Sequence, residues 1–107
     1  MAEDVLSRLA TLISNRRQAL ADTSYTRQLL DAGAPKCARK LGEEAIETVI
    51  AGIIGDENEV RAEAADLLYH LLVLLEVRGV PLADVLATLE GRMVQSGIAE
   101  KAARVPG

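Results

Sequence analysis

Two acidic clusters lie inside segments whose apolar residues are spaced for burial, and that conflict constrains this chain more than any other feature. The first is Glu43-Glu44-Ala45-Ile46-Glu47, the second Glu63-Ala64-Ala65-Asp66. Residues three and four apart share a helix face. Glu44 and Glu47 therefore project together from one helix, and Glu63 and Asp66 from another. Carboxylates that converge in a bundle repel one another and lose hydration. A hard, oxygen-seeking cation relieves both penalties, and Mg²⁺ is the first expectation. The alternative is a pair of solvated helix faces, ordinary in a chain with 16 Asp and Glu residues.

The rest of the chain reads as helix throughout. Leu and Ala favour helix and no segment alternates as a strand does. Val5, Leu6, Leu9, Leu12, Ile13 and Leu20 predict a first helix over about 4–20. Asp22-Thr23-Ser24 ends it, and a short helix follows over about 25–31, with Gly33 suited to its C-terminal cap. Pro35 suits the first turn of a third helix, which ends near Gly55. Asp56 then resembles an N-cap, with Glu59 three residues later completing a capping box. A fourth helix reaches about Arg78 and stops at Gly79. Pro81 precedes a fifth, marked by Leu82, Val85, Leu86, Leu89 and Met93. Ser96-Gly97 predicts a break before a last short helix over 98–104. The expectation is an all-α bundle of five to six helices in one domain, residues 1–107.

On the fourth helix, at about 100° per residue, Glu63, Asp66 and His70 fall within roughly a 60° arc that Val73, Leu74 and Val77 continue. These polar groups are expected to point into the bundle. The run from Leu67 to Leu75 is apolar on nearly all sides, which marks a central helix. So few helices cannot cover such a helix alone, so a second subunit, and a two-fold homodimer, is expected.

Charge and composition exclude other classes. The net charge is −4 and there is no Trp or Phe, which argues against non-specific nucleic-acid binding and base-stacking platforms. Cys37 is the lone cysteine, so no intrachain disulfide forms. The start of the chain lacks the basic and apolar regions of a signal peptide, and the longest apolar run, Leu71 to Leu75, is too short for a membrane span. A reducing cytoplasm is the expected location.

Other residues leave two readings each. Lys36, Arg39 and Lys40 precede the first acidic cluster by one or two turns; they either neutralise its glutamates or clamp a phosphate beside the metal. Gly42 interrupts a helix at a cost of about 1 kcal/mol relative to Ala, either without purpose or to let a ligand or helix approach. His70 reads first as a core histidine, Cys37 as structural, and Tyr25 as either a packing or a substrate residue. Di-iron bundles need two Glu-x-x-His motifs, which one histidine cannot supply. The common phosphate-binding glycine loops are absent.

Glu43-Glu44-x-x-Glu47 followed by Glu63-x-x-Asp66 resembles the signature of the MazG-like all-α nucleotide pyrophosphatases. Ser24-Tyr25-Thr26, Lys40-Leu41-Gly42-Glu43-Glu44, the stretch from Glu63 to Leu75 with its Asp-Leu-Leu-Tyr-His core, and Ser96-Gly97-Ile98-Ala99-Glu100-Lys101-Ala102 resemble the phosphoribosyl-ATP pyrophosphatase family more narrowly. The resemblance runs from about Val5 to Arg104. One departure is Leu41, where the family often has Val. The resemblance implies a MazG-like fold and hydrolysis of the α–β bond of 1-(5-phosphoribosyl)-ATP to 1-(5-phosphoribosyl)-AMP and pyrophosphate, the second step of histidine biosynthesis. It implies a stand-alone enzyme, because one Cys and one His cannot supply the metal site of the cyclohydrolase to which this domain is fused elsewhere.

On this reading Glu44, Glu47, Glu63 and Asp66 hold Mg²⁺, which neutralises phosphate oxygens. Glu43 either assists the attacking water or faces a basic residue. Lys40 is the first expected phosphate contact, followed by Arg39 and Lys36. Lys101 and Arg104 are expected to reach the substrate's additional 5′-phosphate, and Tyr25 and His70 complete the substrate-binding set. Two rivals remain: a house-cleaning nucleoside triphosphate pyrophosphatase sharing the acidic motif, and a non-catalytic helical dimerisation module.

Overall fold

The computed structural model describes residues 4–104, with side chains described for residues 4–95. Five α-helices account for most of it: α1 (Val5–Asn15), α2 (Tyr25–Ala32), α3 (Ala34–Ile54), α4 (Glu57–Arg78) and α5 (Leu82–Arg104), with one 3₁₀ turn at Arg16–Gln18. There is no strand among the described residues.

The helix ends follow local chemistry. Asp4 caps α1 by accepting from the Ser7 amide at 2.7 Å, and Ser24 caps α2 by accepting from the Arg27 amide at 3.1 Å. Asp56 caps α4, its carboxylate 2.9 Å from the Glu59 amide, which forms the forward half of the expected capping box. Gly79 closes α4 in the left-handed region at φ 69°. Gly33, at φ 91° and ψ 174°, ends α2 and begins α3 in a conformation that suits only glycine.

Two boundaries differ from the sequence expectation. The first α-helix stops at Asn15 rather than near Leu20, and Leu20 is exposed. Tertiary partners take over the backbone there. The Arg27 guanidinium donates to the carbonyls of Arg17 and Ala19 at 2.7 and 2.8 Å, and Gln28 donates to Ala21 at 2.6 Å. Arg17 in turn pairs with the Glu76 carboxylate and donates to its backbone carbonyl, fastening this connection to α4. The second difference is Ser96-Gly97, which does not interrupt α5. One interior glycine costs about 1 kcal/mol, too little to break a helix already propagating through good helix formers.

The core lies where α1, α2, α3 and α4 meet. Ile13, Leu29, Leu30, Cys37, Leu72 and Val73 are buried there together, with Leu6, Leu9, Tyr69 and Leu82 packed against them. α4 touches α1, α2 and α3, and so is the central helix that its apolar run predicted. The Cys37 thiol donates to the Leu29 carbonyl at 3.2 Å and burial raises its pKa, so it is an inert packing group. The longest interface is α3 against α4, and both acidic clusters are on it.

Candidate active site

The α3–α4 interface brings the acidic residues together as the two i, i+3 pairs require. Carboxylate oxygens of Glu44, Glu63 and Asp66 all lie within 4.8 Å of one another. Glu47 adjoins both Glu44 and Glu63 closely enough that a proton between them would form a hydrogen bond. One oxygen of Glu44 and one of Glu63 are buried with no hydrogen-bond partner. Burial is the first cause that raises the pKa of Glu44, followed by its neighbours Glu47, Asp66 and Glu63. Glu63 is raised likewise, by burial and then by Glu47, Asp66 and Glu59. Orphaned, mutually repelling carboxylate oxygens are the donor set a hard divalent cation accepts. The residues present therefore fit such an ion.

Asp66 departs from expectation. The helical wheel turned it inward with Glu63 and His70, yet it is exposed, whereas Glu63 is half-buried and His70 buried. It stands at the solvent edge of the arc.

The interface is fastened by a residue that sequence reading passed over. The Thr48 hydroxyl lies 2.8 Å from the Glu44 carbonyl on its own helix and 3.1 Å from the Glu63 carbonyl on α4. It thus registers the two ligand-bearing turns against each other. Its only signal in sequence is a hydroxyl residue one turn after Glu44 on the α4-facing side. Glu59, one turn before Glu63, also lines a cleft of about 280 Å³ with Glu47, Ile50, Ala51, Ile54 and Glu63, continuous with the acidic cluster.

The basic residues divide. Lys40 is half-buried and pairs with Glu43 at 3.3 Å. That contact, then Tyr25, then Glu44, raises the lysine's pKa. Glu43 thus faces a basic residue, the second of its two expected roles. Lys36 and Arg39 are exposed and form no ion pair among the described residues. A Cβ on Gly42 would meet nothing within 4 Å, so no close approach inside the chain requires that glycine. Lys101 and Arg104 carry side chains outside the described residues.

His70 lies beside the cluster with the chain's two tyrosines. Its ring meets Tyr69 edge-on at 5.0 Å and Tyr25 at 6.3 Å. Burial, then Lys40, lowers its pKa against the opposing pull of Asp66 and Glu43, which favours the neutral imidazole.

A family model described as phosphoribosyl-ATP pyrophosphohydrolase matches residues 6–93, which include every acidic residue of this cluster. The chain belongs to the phosphoribosyl-ATP pyrophosphohydrolase family. Curated relatives named phosphoribosyl-ATP pyrophosphatase agree over nearly full length. One from Rhizorhabdus wittichii is 57% identical, covering 95% of this chain and 96% of its own. One from Methylobacterium radiotolerans is 54% identical, covering 99% of each chain. One from Rhizobium rhizogenes is 49% identical, covering 97% of this chain and all of its own. The all-α fold of the phosphoribosyl-ATP pyrophosphohydrolase family is the fold observed here. No helix among the described residues is long and apolar enough to cross a membrane.

Proposed function

We propose that this chain hydrolyses 1-(5-phosphoribosyl)-ATP to 1-(5-phosphoribosyl)-AMP and pyrophosphate, the second step of histidine biosynthesis, as a Mg²⁺-dependent enzyme of the cytoplasm. Residues 1–107 act as one catalytic domain. The observation that carries the mechanism is the pair of buried, unpartnered oxygens on Glu44 and Glu63 at the centre of the acidic cluster. Family membership supplies the substrate.

Glu44, Glu47, Glu63 and Asp66 are the proposed ligands of Mg²⁺, which when bound neutralises the phosphate oxygens and lowers the pKa of a coordinated water. The remaining work falls to neighbouring side chains. Lys40 exchanges Glu43 for a phosphate oxygen of the substrate, which leaves Glu43 beside the attacking water. Lys36 and Arg39 add positive charge along α3 for the outer phosphates. His70 and Tyr25 are assigned to substrate binding beside the cluster, and Lys101 and Arg104 to the substrate's 5′-phosphate.

The working molecule is proposed to be a homodimer. Ile46, Val49, Ile50, Ile53 and Ile54 form an i, i+3, i+4, i+7, i+8 stripe of exposed side chains along α3, and Ile53 and Ile54 are 77% and 79% exposed. Leu89, Met93 and Val94 are exposed on α5 as well. Patches of this kind are rare on monomers and common at interfaces between subunits.

The decisive assay is pyrophosphate release from phosphoribosyl-ATP, with and without Mg²⁺, beside ATP and dUTP. Mg²⁺-dependent release from phosphoribosyl-ATP alone is expected. Release from dUTP instead would reassign the same metal site to a house-cleaning pyrophosphatase. Silence on all three by folded protein would leave only a dimerisation module.

A further inference from the structure

The chain has two tyrosines, one histidine, and no Phe or Trp. All three of these rings stand together beside the acidic cluster. Tyr69 is anchored from below, its hydroxyl hydrogen-bonded to the Thr26 hydroxyl. His70 packs edge-on against it and is buried. Tyr25 packs edge-on against His70 and ends the series at the surface, 52% exposed.

Nothing about Tyr25 serves the core. It opens α2 directly after the Ser24 cap, and the loop before it is held by Arg27 and Gln28 through the carbonyls of Arg17, Ala19 and Ala21. The backbone that carries the ring is therefore held in place, and the ring leans on His70. Its phenol is near enough to Lys40, the proposed phosphate contact, to raise the lysine's pKa. His70, against which it leans, sits four residues and so about 6 Å beyond the ligand Asp66 along α4. An exposed aromatic face held beside a triphosphate site has an evident occupant, because a purine stacks on tyrosine irrespective of its hydrogen-bonding pattern.

We propose that the outer face of Tyr25 is the platform on which the substrate's adenine ring stacks, with His70 and Tyr69 as its rigid backing. The assignment rests on the proposed function for the identity of the substrate, but it concerns the base and not the phosphates. Stacking contributes equally to substrate and transition state, so its loss appears in KM and not in kcat.

The test uses the full chain and four proteins: wild type, Tyr25→Phe, Tyr25→Leu and Tyr25→Trp. With phosphoribosyl-ATP and saturating Mg²⁺, Tyr25→Leu is expected to raise KM about tenfold or more with kcat within about twofold, while Tyr25→Phe stays near wild type. Inhibition separates base from phosphate. ATP is expected to lose potency against Tyr25→Leu in the same proportion, whereas inorganic tripolyphosphate, which has no base, inhibits all four proteins alike. The lone tryptophan of Tyr25→Trp is expected to be quenched by ATP and untouched by tripolyphosphate. That readout needs no turnover, so it stands even where the substrate assignment fails. Equal losses of ATP and tripolyphosphate inhibition in Tyr25→Leu, or no quenching of the Trp variant by ATP, would overturn the platform. A loss of activity in Tyr25→Phe equal to that in Tyr25→Leu would transfer the role to the hydroxyl.

Discussion

The Thr48 hydroxyl on α3 lies 3.1 Å from the backbone carbonyl oxygen of Glu63 on α4, in the same turn where it meets the Glu44 carbonyl. One side chain thus joins the two helix segments that carry the candidate metal ligands. Thr48→Val keeps the branched shape and removes the donor. Its expected cost is about 1 kcal/mol of stability by urea denaturation, with apparent Mg²⁺ affinity in the activity assay weakened about tenfold. Thr48→Ser is expected to restore both. Indistinguishable Mg²⁺ titrations for the three proteins would remove Thr48 from the support of the site.

The raised pKa values of Glu44 and Glu63 set the pH dependence of the metal-free protein. Between the ordinary value of 4.5 and their raised folded values, the folded state binds more protons than the unfolded state. Stability from this source is therefore lost as pH rises through the folded values. His70 acts in the opposite direction. Its folded pKa is depressed, so its contribution is present above the ordinary 6.5 and is lost as pH falls. Comparing wild type with Glu44→Gln cancels the histidine. In chelator at pH 7.5 the variant is expected to melt higher, with the advantage shrinking towards pH 4.5. Mg²⁺ is expected to stabilise the wild type and to do little for the variant. A variant that melts lower at every pH would contradict the repulsion.

Glu47→Gln and Asp66→Asn address the exposed half of the proposed ligand set. Each is expected to lower turnover by about two orders of magnitude or more at limiting Mg²⁺, with the helical circular dichroism unchanged. Wild-type turnover in either variant would withdraw that residue from the ligands.

Gly33 joins α2 to α3 at φ 91°, and a Cβ there would meet only the Pro35 ring at 3.8 Å. The penalty for Gly33→Ala is therefore conformational rather than steric, about 1–3 kcal/mol. Gly79→Ala, in the ordinary left-handed region, is expected to cost about 1 kcal/mol. Chemical denaturation ranks the two, and the reverse order would show that the α2–α3 junction relaxes easily.

Replacing Ile53 by Asp places a charge in the apolar stripe of α3. Sedimentation velocity is expected to show a dimer for the wild type and a monomer for the variant. A monomeric wild type would leave the stripe without its assigned occupant.

Much of this architecture is written in local sequence. Asp4, Ser24 and Asp56 announce helix starts because a cap needs only its own next three residues. Gly33 and Gly79 announce ends because few other residues adopt their backbone angles. The pairing of Glu44 with Glu47 and of Glu63 with Asp66 follows from helical period alone. What period cannot supply is how two helices are turned and slid against each other. That registration, fixed in part by Thr48, decides that Glu44, Glu63 and Asp66 converge within 4.8 Å, and that Asp66 stands at the solvent edge rather than inside. The early end of α1 has the same origin, because Arg17 and Arg27 reach partners 59 and 10 residues away that no local window contains. The sequence by itself determined the helices, the ends set by Asp4, Ser24, Gly33, Asp56 and Gly79, and the chemistry of the acidic residues, since those depend on neighbours along the chain. Only the tertiary structure decided which carboxylate oxygens lose both water and partners, because burial belongs to the packed interface and not to any residue alone.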